Sequence, residues 1–185
     1  MHDLDDVFAP WSRSGAVRDV LVSLGMPHPV PMQSMYITKQ PSIGGVVVPH
    51  QDSCFLHTEP DTCVGIWLAL QDATRHNGCL WAIPGSHTAG VAGRFVLTPD
   101  RKTQWVGGKP PAYEAFSDAG DTAYIPLEAS AGTLVVLHGA VVHASAANTS
   151  QDSRHAYSVH YVDKASTWAP TNWLQRDPSF PPVPL

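Results

Sequence analysis

A chain of 185 residues is long enough for one domain and short for two. Its 43% apolar content provides for a real core and argues against general disorder, while a net charge of −5 with scattered basic residues excludes a nucleic-acid groove. No apolar run approaches the ~18 residues of a membrane span, and the acidic opening Met1-His2-Asp3-Leu4-Asp5-Asp6 lacks the basic and apolar regions of a secretion signal. The expectation is a soluble, cytoplasmic protein. Three cysteines, Cys54, Cys63 and Cys79, form no C-x-x-C and read as reduced, partly buried thiols.

In chain order, Val17, Val20, Leu21 and Leu24 build one apolar helical face, with Ser12 or Ser14 to cap its start and Gly25 with Pro27 to close it. After Pro31 the texture changes to short β-prone runs between turn residues. These are Gln33 to Thr38, Val46 to Val48, Val64 to Leu70, Cys79 to Ile83, Thr122 to Ile125, Thr133 to His138, and Ala156 to Val162. With 17 prolines among 185 residues, short strands joined by ordered loops are favoured over helices. The pattern predicts a mainly β sandwich or barrel with a short N-terminal helix, spanning residues 1–185 as a single domain. Residues 86–120 are polar, rich in Gly and Pro, and read as an irregular insertion, either a functional lid or a mobile segment. The proline-rich tail from Asp177 reads as extended.

Chemistry concentrates at Pro49-His50-Gln51-Asp52. Residues two apart on a strand share a face, so His50 and Asp52 can present an imidazole and a carboxylate side by side. A histidine from another strand would complete a two-His-one-carboxylate triad, which leaves three positions free on iron. An H-x-[DE] triplet is a weak signal, and His57-Thr58-Glu59 is a second one. The first is preferred because Gly44-Gly45 and Pro49 build a turn feeding a strand, whereas Glu59-Pro60-Asp61 reads as loop. For the other histidine the segment Gly132 to His143 offers both His138 and His143. Beyond it Arg154, next to the strand Ala156 to His160, reads either as a surface cation near the start of that strand or as an anchor suited to pair bidentately with the far carboxylate of a 2-oxoglutarate chelating iron.

Several stretches, in order along nearly the whole chain, resemble the phytanoyl-CoA dioxygenase family, and most closely its domain-containing-protein branch. They include Gln33-Ser34-Met35-Tyr36, Lys39-Gln40-Pro41, Pro49-His50-Gln51-Asp52, Asn77-Gly78-Cys79-Leu80-Trp81, Pro84-Gly85-Ser86-His87, Val142-His143 and Asn172-Trp173-Leu174. The resemblance implies a double-stranded β-helix, or jelly roll, with Fe(II) and the cosubstrate 2-oxoglutarate at its mouth. It implies His50, Asp52 and His143 as iron ligands, Arg154 and Ser145 as contacts to the distal carboxylate, and Met35 and Trp67 as walls of the cosubstrate pocket. The Pro84-Gly85-Ser86-His87 turn reads as scaffold. The opening His2 to Phe8 resembles the end of a family run whose upstream lysine also binds 2-oxoglutarate, so an N-terminally shortened domain is expected.

The implied reaction couples conversion of 2-oxoglutarate and O₂ to succinate and CO₂ with hydroxylation of a small organic substrate. One rival is a cupin-type metalloenzyme that makes no use of 2-oxoglutarate. Another is a metal-binding jelly roll impaired in turnover. Succinate formation separates the three.

Overall fold

The computed structural model describes residues 1–108 and 123–185. Two helices, α1 (Phe8–Ser12) and α2 (Gly15–Ser23), precede a series of strands. These are β1 (Pro29–Lys39), β2 (Val47–His50), β3 (Thr58–Glu59), β4 (Val64–Ala69), β5 (Leu80–Ala82), β6 (Gly93–Leu97), β7 (Thr103–Gly107), β8 (Ile125–Leu127), β9 (Leu134–His138), β10 (His143–Ser145), β11 (Arg154–Asp163) and β12 (Thr167–Trp168). Single 3₁₀ turns lie at Asp52–Cys54 and Ser86–Ala89.

The strands form two four-stranded antiparallel sheets, in the orders β1-β11-β4-β9 and β2-β10-β5-β8. Connections pass repeatedly from one sheet to the other, and the result is the expected mainly β jelly roll. Tyr124, Trp67, Leu137, Val142 and Ala156 belong to the core between the sheets. The predicted helix forms as α2, and it is Ser14 that caps it, accepting a hydrogen bond from the Val17 N–H. Ser12 instead ends α1, where its hydroxyl bonds the Phe8 carbonyl and the Tyr157 hydroxyl. Val17 and Leu21 of α2 pack with Ile66, Tyr157, Val159 and Tyr161 on the outer face of the first sheet.

That packing divides β11 by strict alternation. Tyr157, Val159 and Tyr161 meet the helices, while Arg154, Ala156, Ser158 and His160 point between the sheets. Covered on both faces, β11 is buried almost throughout.

Strand β1 begins earlier than predicted, at Pro29. Proline has no N–H to donate, and β1 tolerates Pro29 and Pro31 because it is an edge strand with a register shift between Pro31 and Gln33. The predicted strand over 122–125 appears as β8, displaced to Ile125–Leu127, and Thr122 lies outside the described residues. The insertion expected to be irregular contains a hairpin, β6–β7, in which Phe95 and Trp105 are register partners. This cross-strand aromatic pair also packs on Phe55, with ring centroids 5.5–5.6 Å apart, and so supplies the hairpin with its own small core. Residues 109–122 of that insertion lie outside the described residues.

All three cysteines are free and buried. Burial raises the Cys54 and Cys63 thiols above their usual range and Cys79 to about 11, which keeps them protonated and unreactive. Among the described residues no helix is long and apolar enough to cross a membrane.

Candidate metal centre

His143 of β10 is the register partner of His50 on one side and of Ala82 on the other. Neighbouring antiparallel partners project to the same face, so the two imidazoles come together, with ring centroids 4.2 Å apart. Asp52 reaches them differently from the simple strand reading. β2 ends at His50, and Asp52 opens the 3₁₀ turn. Gln51, still extended, carries the two-residue alternation one step past the strand and delivers the carboxylate to the same face.

Asp52 Oδ1 lies 3.6 Å from His50 Nε2 and 3.7 Å from His143 Nε2, and the three ligand atoms are all within 4.8 Å of one another. Two metal–ligand bonds of about 2.1 Å can bridge such gaps. Each imidazole is oriented from behind. His50 Nδ1–H donates to the Val48 carbonyl at 2.9 Å and His143 Nδ1–H to the Val141 carbonyl at 3.1 Å, which in the neutral rings leaves both Nε2 atoms bare and facing the carboxylate. Bare imidazole nitrogens and a carboxylate converging in a buried pocket fit a divalent first-row metal.

Neither competing histidine joins this cluster among the described residues. The backbone of His57 is clamped by Asn172, and His138 Nδ1 accepts from the Ala140 N–H and stacks near His87.

Burial opposes ionisation of Asp52, yet the His160 and His143 imidazoles outweigh it and hold the carboxyl well below the usual carboxylate range. Burial, reinforced by His50, pushes His143 down to about 4. For His50 burial is outweighed by Asp52 beside it, and the pKa rises above 6.5. Between pH 6.5 and about 4, then, metal binding should displace one proton, from His50, while His143 is already neutral. Affinity for Co(II) should fall as pH falls across this window, about tenfold per pH unit. A slope of two protons in a pH series of Co(II) titrations would contradict it.

A cavity of about 260 Å³ runs from this cluster to Arg154 and is also lined by Met35, Trp67 and Ser145. All seven candidate site residues therefore share one space. Arg154 is 1% exposed. Its Nε donates to the Gly78 carbonyl at 3.1 Å and its Nη2 to Ser145 Oγ at 3.4 Å, and the guanidinium carbon lies 5.5 Å from the centroid of the Trp67 ring. Gly78 has φ +90°, and a Cβ there would meet the Lys39 side chain at 2.7 Å, so only glycine can aim this carbonyl. Among the described residues, Arg154 Nη1 is buried without a hydrogen-bond partner, as is Trp67 Nε1. Burial lowers Arg154 to about 10, and no carboxylate among the described residues offsets it. A buried cation with an unused donor, beside a hydroxyl and an indole N–H, suits an anionic group in the cavity.

A profile of the phytanoyl-CoA dioxygenase (PhyH) family matches residues 2–156. The chain belongs to this family. It is 46% identical to phytanoyl-CoA dioxygenase 1 of Oryza sativa subsp. japonica over 186 residues, covering 100% of this chain and 63% of that protein. It is also 46% identical over 190 residues to the Bos taurus phytanoyl-CoA dioxygenase domain-containing protein 1, with the same coverage of each. The chain thus spans less than two thirds of the length of these relatives. Among solved structures it resembles the non-heme monooxygenase ThoJ in its apo form (TM-score 0.71, 20% identity, 96% of this chain and 60% of that one). It also resembles the epimerase SnoN in complex with Fe3+, alpha ketoglutarate and nogalamycin RO (TM-score 0.67, 22% identity, 98% of this chain and 71% of that one). At such identities these likenesses establish the fold.

Two inward residues of this family member went unread in its sequence. Lys39, the register partner of Arg154, is buried and its ammonium donates to the Gly45 and Ala146 carbonyls. Burial and the nearby Arg154 lower it to about 8. The other, His160, stands beside Asp52. Both follow from the alternation of β1 and β11, once the strands are known to face the cavity.

Proposed function

We propose that this chain is the core of a non-haem Fe(II)/2-oxoglutarate-dependent oxygenase that hydroxylates a small organic substrate, releasing succinate and CO₂. The observation that carries this is the single cavity with a three-ligand cluster at one end and an unsatisfied buried guanidinium at the other. His50, Asp52 and His143 would hold the iron. Arg154, with the Ser145 hydroxyl, would take the distal carboxylate of 2-oxoglutarate through charge-assisted hydrogen bonds. Iron and 2-oxoglutarate together supply the activation of O₂ and the oxidising power for a substrate C–H bond.

The chain's own contribution is orientation and exclusion of water. Met35, Ile37, Trp67, Leu80 and Leu137 wall the cosubstrate space with apolar surface, which strengthens the Arg154 contact and keeps water from the reacting centre. The cluster also borders a second cavity of about 280 Å³, where Val48, Phe55, Leu56 and Trp173 join His50 and Asp52. This second cavity, whose lining does not include Arg154, is where the substrate would approach. Its lining carries Gln33, and the charged or ionisable groups there are His50, Asp52 and His160.

An anaerobic titration with Fe(II) and 2-oxoglutarate tests the reading without knowledge of the substrate. The expected result is a visible metal-to-ligand charge-transfer band that requires both additions and is absent with succinate. Fe(II) binding without the band would favour a cupin-type centre. A band without succinate formation in air, even when candidate substrates are supplied, would favour a binding module.

A further inference from the structure

The two oxygens of Asp52 have different surroundings. Oδ1 faces the Nε2 atoms of His50 and His143, whereas Oδ2 lies 3.2 Å from His160 Nε2. That distance is within hydrogen-bonding range but the contact falls short of hydrogen-bond geometry, and among the described residues Oδ2 has no hydrogen-bond partner. His160 is 4% exposed and its Nδ1 is likewise buried without a partner. Its ring lies outside the set of ligand atoms within 4.8 Å of one another, so it borders the metal cluster without belonging to it.

The backbone makes room for this contact. Gly65 of β4 is the register partner of His160, and a Cβ there would lie 3.0 Å from Asp52 Oδ2 and 3.4 Å from His160 Cδ2. The one side chain that could separate the carboxylate from the imidazole is therefore missing. Behind His160, Tyr161 and Val159 are locked into the helix-facing core, which fixes the strand and with it the inward direction of the ring.

We propose that His160 is a positioning residue that donates a hydrogen bond from Nε2 to Asp52 Oδ2 and thereby confines the carboxylate to the metal through Oδ1 alone. The consequence is one of coordination number. Two imidazoles and one carboxylate oxygen leave three of six positions free. A carboxylate rotated to chelate through both oxygens would take one of these and compete with the cosubstrate. With Nε2 carrying the proton, Nδ1 is a bare acceptor in a largely apolar space, the cheaper of the two nitrogens to leave unpaired there.

The inference rests on the proposed iron site, and its test uses the metal alone. His160→Leu, which keeps much of the volume and loses the donor, should bind Fe(II) about 10- to 100-fold more weakly under anaerobic conditions. His160→Gln, whose amide can donate to Oδ2, should recover most of that loss. With Co(II) as probe, the visible d–d spectrum should change in the leucine variant and return towards wild type in the glutamine variant. A merely space-filling role predicts the reverse order, with leucine tolerated at least as well as glutamine. Wild-type Fe(II) affinity and an unaltered Co(II) spectrum in a folded His160→Leu protein would overturn the proposal, as would glutamine performing no better than leucine. Wild-type protein that binds Fe(II) but not 2-oxoglutarate would overturn the proposed function and leave this inference standing.

Discussion

His143→Ala should abolish stoichiometric Fe(II) binding, lowering affinity by at least the ~100-fold upper range seen for loss of an outer-sphere partner. The substitution removes the ligand contributed by β10 and leaves His50 and Asp52, two neighbours from a single short segment, to hold the ion alone. The sheet itself should survive. His143 pairs with His50 and Ala82 through its backbone, and alanine preserves those hydrogen bonds. Deleting a buried imidazole creates a cavity but also removes a ring whose only hydrogen bond among the described residues is to the Val141 carbonyl. His57→Ala and His138→Ala are the controls, since both side chains lie outside the ligand cluster. Metal analysis after anaerobic loading and desalting decides the matter. Retention of one equivalent of iron by the His143 variant, or its loss from either control, would refute the ligand assignment.

Replacing Arg154 with alanine should cost 2-oxoglutarate about 100-fold in affinity, or ~2.7 kcal/mol, while leaving Fe(II) affinity near wild type. The guanidinium is already held by Gly78, Ser145 and the Trp67 face. Little side-chain freedom is lost when the carboxylate arrives, so most of the charge-assisted interaction appears as binding. Arg154→Lys should restore only part of it. An ammonium can supply the charge, but it cannot at once donate to the Gly78 carbonyl, Ser145 and a carboxylate in the planar geometry of the fork. Removing a buried cation that no carboxylate among the described residues balances should also relieve the protein without cosubstrate. The variant's melting temperature should then respond little to 2-oxoglutarate, in contrast to a marked rise in wild type. Unchanged 2-oxoglutarate affinity in Arg154→Ala would place the anchor elsewhere or exclude a dicarboxylate cosubstrate.

Both expectations rest on residues that were legible to different degrees. Local rules suffice where neighbours in sequence do the work. The helical face of Val17, Val20 and Leu21, the β-rich texture after Pro31 and the proximity of His50 to Asp52 depend on periodicity over a few residues. The sandwich class follows from the spacing of short β-prone runs, and the order of family-like stretches implies a jelly roll. The edge position that lets β1 start at Pro29, and the hairpin closed by Phe95, Trp105 and Phe55, depend on which strands lie alongside each other, and composition alone hides both.

The metal cluster shows the same division. Residue types and spacing within the segment from Gly132 to His143 leave His138 and His143 equally suitable, because the choice is made by cross-strand register. β10 pairs His143 with His50, while β9 sends His138 to the opposite edge of the other sheet. Asp52 reaches the cluster from a 3₁₀ turn, a detail that an H-x-D pattern cannot distinguish from a continued strand. His160 was readable only as one of ten histidines. Alternation from Arg154 puts it on the same face six residues on, but its meeting with Asp52 needs the space left by Gly65 on the adjacent strand. Short-range patterning thus names the segments that carry chemistry, and non-local pairing between strands selects the side chains that meet, because register is set by contacts far apart in the chain.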